Sequence, residues 1–253
     1  MPGKIWVASK SVAGNVEHLY LVYDPDGDPE TGDELIFRGG PDPDAALLGN
    51  IVIERWVPAQ QSEDRIVNKD GSPILNSDGQ PLEAVKDRNY TEVDLDGQTA
   101  EEVKDKISDW VDGVDPNHDP NSQNPPPHTV TTDTPYTTPL SKPDENENAL
   151  SGTALNSNTT VGSALDHAGI DVQQNMPRTG NPSASDYGEP ISPQRTPGLE
   201  SHYSGGDTTV VRNVDNDQLL HSTGGNTTYV LDSDYVGNGT TVIVEDNDSS
   251  TLD

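Results

Sequence analysis

Apolar residues first recur in four short segments, 5–8, 19–23, 35–37 and 51–57, each bounded by Gly, Pro, Asp or Asn. Short apolar or alternating runs between turn residues read as strands, and four in succession predict a small antiparallel sheet. The link over 24–33, DPDGDPETGD, has hairpin-loop chemistry, and Gly39-Gly40-Pro41-Asp42-Pro43 breaks the next connection. Asp70-Gly71 and Asp78-Gly79 suggest a further turn-rich excursion, read as a hairpin carrying Ile74 and Leu75. Then the period changes. Val103, Ile107, Trp110, Val111 and Val114 recur at helical spacing behind a Thr99/Glu102 capping-box pattern, predicting a helix that ends near Gly113. A shorter helix is expected over 159–167, where Val161, Ala164, Leu165 and Ala168 share a face and Gly169 supplies a stop.

Between and after the helices the pattern fades. From 115 to about 147 the chain turns to Pro, Asn, Asp and Thr, including Pro125-Pro126-Pro127, and reads as a linker or long surface loop. After Met176-Pro177 it is again loop-like to about Gly206, and β-type segments return at 208–212, 228–231 and 241–244. The expected fold is α+β: a small antiparallel sheet with two helices over residues 1–180, with 115–147 as an internal loop, followed by a loop-rich β tail over 181–253. The large apolar residues concentrate in the sheet and first helix, which are expected to form the only substantial core.

Composition narrows the function classes. The 253 residues carry a formal net charge of -30, and only 30% are hydrophobic, below the roughly 45–50% of ordinary domains. Such a chain repels nucleic acid and anionic membrane surfaces. With no cysteine, disulfides, zinc–thiolate sites and cysteine catalysis are excluded. His118, His128, His167, His202 and His221 lack ligand-like spacing, so no transition-metal site is expected. No N-terminal apolar run resembles a signal peptide, and no segment approaches the roughly 18 apolar residues of a membrane span. An acidic, cysteine-free chain rich in Gly, Asp and Asn suits the extracellular setting, where calcium can neutralise carboxylates.

The chemistry concentrates at two distant points. His18 opens the strand HLYLVY, and Asn156-Ser157-Asn158-Thr159-Thr160-Val161 begins the second helix. This order resembles that of circularly permuted papain-like hydrolases, which place a histidine at the start of an early strand and a nucleophile at a later helix N-terminus, within an Asn-Cys-Asn type motif. Ser157 stands at the cysteine position. The resemblance covers 18 to about 169 and implies Ser157 as nucleophile, His18 as base and no cofactor for catalysis. Asn156, Asn158 and Glu34 are the candidates for oxyanion or orienting roles, with Arg38 beside Glu34 on the strand expected to pair with that of His18. Independently of the resemblance, a helix N-terminus offers unpaired N–H groups and a positive dipole end to developing negative charge. Asn-Ser-Asn-Thr is equally good helix-capping chemistry that catalyses nothing.

Asp24, Asp26 and Asp28 alternate around Gly27, as in the opening of a calcium loop, although no glutamate stands at the twelfth position, Pro25 is atypical there, and a solvated acidic turn is the better account of them. In the tail, Gly224-Gly225-Asn226-Thr227-Thr228-Tyr229-Val230 and Gly237-Asn238-Gly239-Thr240-Thr241-Val242 resemble degenerate repeat-in-toxin units. That resemblance implies a calcium-associated parallel β-roll and export through a C-terminal signal. Two function classes follow. One is an exported hydrolase acting on an amide or ester bond in a peptide, cell-wall or lipid substrate. The other is a non-catalytic binding or structural module of a calcium-dependent, repeat-rich bacterial exoprotein.

Overall fold

The computed structural model describes residues 2–12, 16–27, 33–45, 49–59, 61–62, 64, 88–122, 125–136, 155–177, 191, 196, 199, 202–204, 208–214, 219–222, 226–231, 242–245 and 251–252. The expected hairpin at 70–79 lies outside them. The four early apolar segments become β1 (Lys4–Val12), β2 (Val16–Asp24), β3 (Leu35–Pro41) and β4 (Asn50–Pro58). Two further strands complete the sheet, β5 (Arg88–Glu92) and β6 (Thr129–Pro135), in the order β5-β1-β2-β3-β4-β6 with every neighbour antiparallel.

β6 corrects the expectation of a structureless 115–147 segment. Val130, Thr132 and Thr134 alternate inward along it, so a strand with one apolar inward residue completes its pairing through β-branched threonines. Thr132 donates its hydroxyl to the Ile51 carbonyl at 3.1 Å, which satisfies the polar group that sequence patterning counts against a strand.

Alternation along the strands divides the sheet into two faces. Ile5, Val7, Leu19, Leu21, Phe37, Ile51 and Ile53 join the main core, whereas Ala8, Tyr20, Val22, Ile36 and Ala59 form a smaller cluster. The helix α1 (Ala100–Val114) lies on the main face, burying Val103, Ile107, Trp110, Val111 and Val114. Its capping box is present, with Glu102 N donating to Thr99 Oγ1 at 3.2 Å and Thr99 N donating to Glu102 Oε2 at 2.7 Å. The helix α2 (Ser157–His167) is buried through its first nine residues and adds Val161, Ala164 and Leu165 to the same core, which is thus larger than sheet and first helix alone. Gly169, at φ +81, permits the left-handed turn that ends it.

The tail contains β7 (His202–Ser204), β8 (Thr208–Val214), β9 (Leu219–Ser222), β10 (Asn226–Leu231), β11 (Val242–Glu245) and β12 (Thr251–Leu252). Successive strands alternate between two three-stranded sheets, β11-β9-β7 and β12-β10-β8, and all pairs are parallel. The described residues of the tail are thus six short strands in two parallel sheets. Its first strands, β7 and β8, lie against α2.

Candidate active site

The ladder between β2 and β3 ends at Leu21 and Phe37, while β3 continues to Pro41. The first turn of α2 enters the wedge between the diverging strands. On the β3 side it fits only because residue 39 is glycine, since a Cβ there would lie 2.1 Å from Thr160 Oγ1. On the β2 side, Leu19 N donates to Asn158 Oδ1 at 2.8 Å and Asn158 Nδ2 donates to the Glu17 carbonyl at 3.0 Å. The side-chain amide of Asn158 therefore replaces a neighbouring strand, and its two bonds bracket His18.

That docking brings Ser157 Oγ to 2.7 Å from His18 Nδ1. The other ring nitrogen, Nε2, lies 2.5 Å from Asp64 Oδ2. Asp64 is fully buried, and Ser157 and His18 are 5% and 8% exposed. The tautomer that satisfies both contacts carries its proton on Nε2, donated to Asp64, and accepts the Ser157 hydroxyl at Nδ1. Burial pushes the imidazole pKa below its ordinary value, and the pull of Asp64 in the opposite direction is partly offset by Arg38 and Lys10. Burial alone would raise the Asp64 carboxyl, but the charge and hydrogen bond of His18, with Arg38 and Lys10, hold it well below the usual carboxylate range. A neutral imidazole between a hydroxyl and a fixed carboxylate has the form of an activated nucleophile, general base and orienting acid.

The remaining candidates fall in different places. Asn156 is the N-cap of α2, its Oδ1 accepting from Asn158 N at 2.8 Å. Asn158 clamps β2 as described. Glu34 is buried and its carbonyl accepts from Ala59 N at 3.0 Å, but the second imidazole nitrogen is met by Asp64. Arg38 does reach the site, with Nε 2.6 Å from Asp64 Oδ2. Asp64 was missed because it sits in the charged turn QSEDR after β4, where composition reads as solvated loop. One local signal exists: Ser62, two residues earlier, accepts Asp64 N at 3.1 Å, a serine-type turn that fixes the carboxylate's backbone.

In the acidic loop, Asp24 and Asp26 lie together with Asp33, each offering an oxygen within 4.8 Å of the others; Asp28 lies outside the described residues. Asp33 closes the same acidic link but stands outside the Asp24/Asp26/Asp28 alternation. The tail residues 224–225 and 237–241 also lie outside the described residues. Among the described residues no helix is long and apolar enough to cross a membrane. No family model, curated protein or solved structure matches the chain.

Proposed function

We propose that the chain is an exported hydrolase of permuted papain-like type that cleaves an amide or ester bond, with Ser157 as nucleophile and His18 as base. The observation that carries the reading is the continuous contact from Ser157 Oγ through His18 to Asp64, at 2.7 and 2.5 Å. His18 Nδ1 takes the hydroxyl proton as Oγ bonds to the substrate carbonyl carbon, and the carbonyl electron pair moves to oxygen. The positive end of α2 favours that oxyanion. His18 then returns the proton to the departing amine or alkoxide, and water, activated by the same nitrogen, releases the acyl group from Ser157. Asp64 keeps Nε2 protonated, so that Nδ1 stays available; the ring nitrogens exchange their roles relative to the Ser-His-Asp template.

Export is supported by the charge of -30, the absence of cysteine and the alternating parallel strands of the tail, an arrangement in keeping with repeat-in-toxin rolls. Peptides, cell-wall peptides and lipid esters all present the required carbonyl.

One observation favours the second reading, a non-catalytic binding or structural module: Ser157 and His18 are almost covered. A fluorophosphonate reporter separates the two, since it reacts with activated serines. It is expected to label the folded full chain, with labelling lost in Ser157→Ala and reduced at least about 100-fold in His18→Gln, the scale of a lost general base. An unlabelled, folded wild type would assign the chain to the second reading.

A further inference from the structure

We propose that Lys10 and Arg38 are positioning residues that set the operating pH of the His18–Ser157 pair. They divide the charge of Asp64 between them, so the carboxylate orients the imidazole without drawing a proton on to it. The proposal rests on the reading of His18 as a base.

The geometry is a carboxylate held from three sides. Lys10 Nζ forms an ion pair with Asp64 Oδ1, and Arg38 Nε reaches Oδ2 at 2.6 Å, the same oxygen that meets His18 Nε2. Strand order makes this inevitable: Lys10 is the direct cross-strand partner of His18 on β1, and β3 brings Arg38 from the other side. Arg38 is steadied in turn by Glu54 of β4, with Nη1 3.4 Å from Oε1, while Ser62 donates its hydroxyl to the other Glu54 oxygen.

A lone buried aspartate beside an imidazole stabilises the imidazolium, which cannot act as a base. Here two cations partly offset that pull. Lys10 and Arg38 stand against Asp64 and Glu54, and the first turn of α2 contributes only Ser157, Asn158, Thr159 and Thr160, all uncharged. Buried Glu17, adjacent to His18 on β2, is the other described acid nearby, its carbonyl tied to Asn158. The two cations oppose the upward pull of Asp64 on the imidazole, in the same direction as its burial.

The test follows the His18 Cε1 proton by NMR in the full chain from about pH 5 to about pH 9, the range in which imidazole titrates. His18→Gln assigns the signal. Lys10 is the position to vary, because its side chain is 29% exposed and a folded variant is expected; near-ultraviolet circular dichroism verifies the fold, and Lys10→Gln repeats the measurement. In Lys10→Met the midpoint is expected to rise by about half a pH unit or more, as for loss of one nearby cation, while Lys10→Arg retains the wild-type midpoint. An unchanged midpoint in folded Lys10→Met, or an equal rise in Lys10→Arg, overturns the proposal. The titration needs no turnover. A shifted midpoint without fluorophosphonate labelling would retire the hydrolase reading and keep the electrostatic role; labelling with an unmoved midpoint would do the reverse.

Discussion

His18 and Asp64 tie the chemistry of the site to the stability of the chain. Burial lowers the His18 pKa in the folded state, so the unfolded chain binds a proton at higher pH than the native one does. Stability from this group is present above the ordinary imidazole value of about 6.5 and is lost as pH falls from there through the folded value. Asp64 has the same sign: its carboxyl is held below the ordinary range, so its contribution is present above the ordinary carboxylate value of about 3.9 and is lost with further acidification. Urea midpoints measured from neutral to mildly acidic pH are therefore expected to fall, first through imidazole protonation. His18→Gln should flatten the part of the slope just below the ordinary imidazole value; an unchanged slope would mean that His18 is not held neutral in the fold. Residue identity alone reached only half of this pairing. The strand start and the helix-cap motif mark His18 and Ser157 because each has a local signature. Lys10 carries none, and the Ser62 turn before Asp64 marks a backbone conformation rather than a partner for the ring: their relation to the ring comes from the exit of β4 and from the register of β1 on β2, which are properties of the whole sheet.

Elements were legible where one kind of signal dominated. The helix α1 follows from five apolar residues at helical spacing, and its start from Thr99 and Glu102, whose reciprocal bonds are present. Thr99→Ala removes a hydroxyl that satisfies an otherwise orphaned amide, so it is expected to destabilise the chain by about 1 kcal/mol, measured by urea unfolding; a loss under about 0.3 kcal/mol, below the usual cap range, would show that the cap is idle. The strands β5 and β6 were illegible for the opposite reason. RNYTE and TVTTDTP offer only Tyr90 and Val130 as large apolar residues, and both strands lie at the sheet's edges, where pairing with an apolar neighbour stands in for an apolar pattern of their own. The bulge in β4 was equally hidden. Between Glu54 and Val57 the strand carries one residue more than β3 does between Ile36 and Arg38, and Trp56 takes up the difference at φ +49. A bulky residue there is strained, but its indole is held by Lys104 O at 3.3 Å and Ser108 Oγ at 3.1 Å on α1, beside Phe37. Beyond the bulge, β4 leads into the turn that delivers Asp64.

For the whole molecule the governing quantity is charge. Forty-four acidic residues face 14 basic ones, and Lys4, Lys10, Arg38, Arg55 and Lys104 are already paired with carboxylates. The surplus carboxylates repel one another in the compact state more than in the expanded chain. Salt at about 0.5 M shortens the screening length to roughly half its value at 0.1 M, weakening that repulsion, while the exposed ion pairs it also weakens contribute little each. The melting temperature is therefore expected to rise with sodium chloride; a flat or falling response would show that the charges are already locally compensated. Calcium chloride at matched ionic strength supplies equal diffuse screening and adds a hard cation that oxygen ligands can hold. Equal rises in the two salts would leave Asp24, Asp26 and Asp33 a solvated acidic turn. A larger rise with calcium, abolished by Asp24→Asn but not by Asp96→Asn in the turn before α1, would locate binding in the loop between β2 and β3, because a ligand held only by the folded chain stabilises it in proportion to its occupancy.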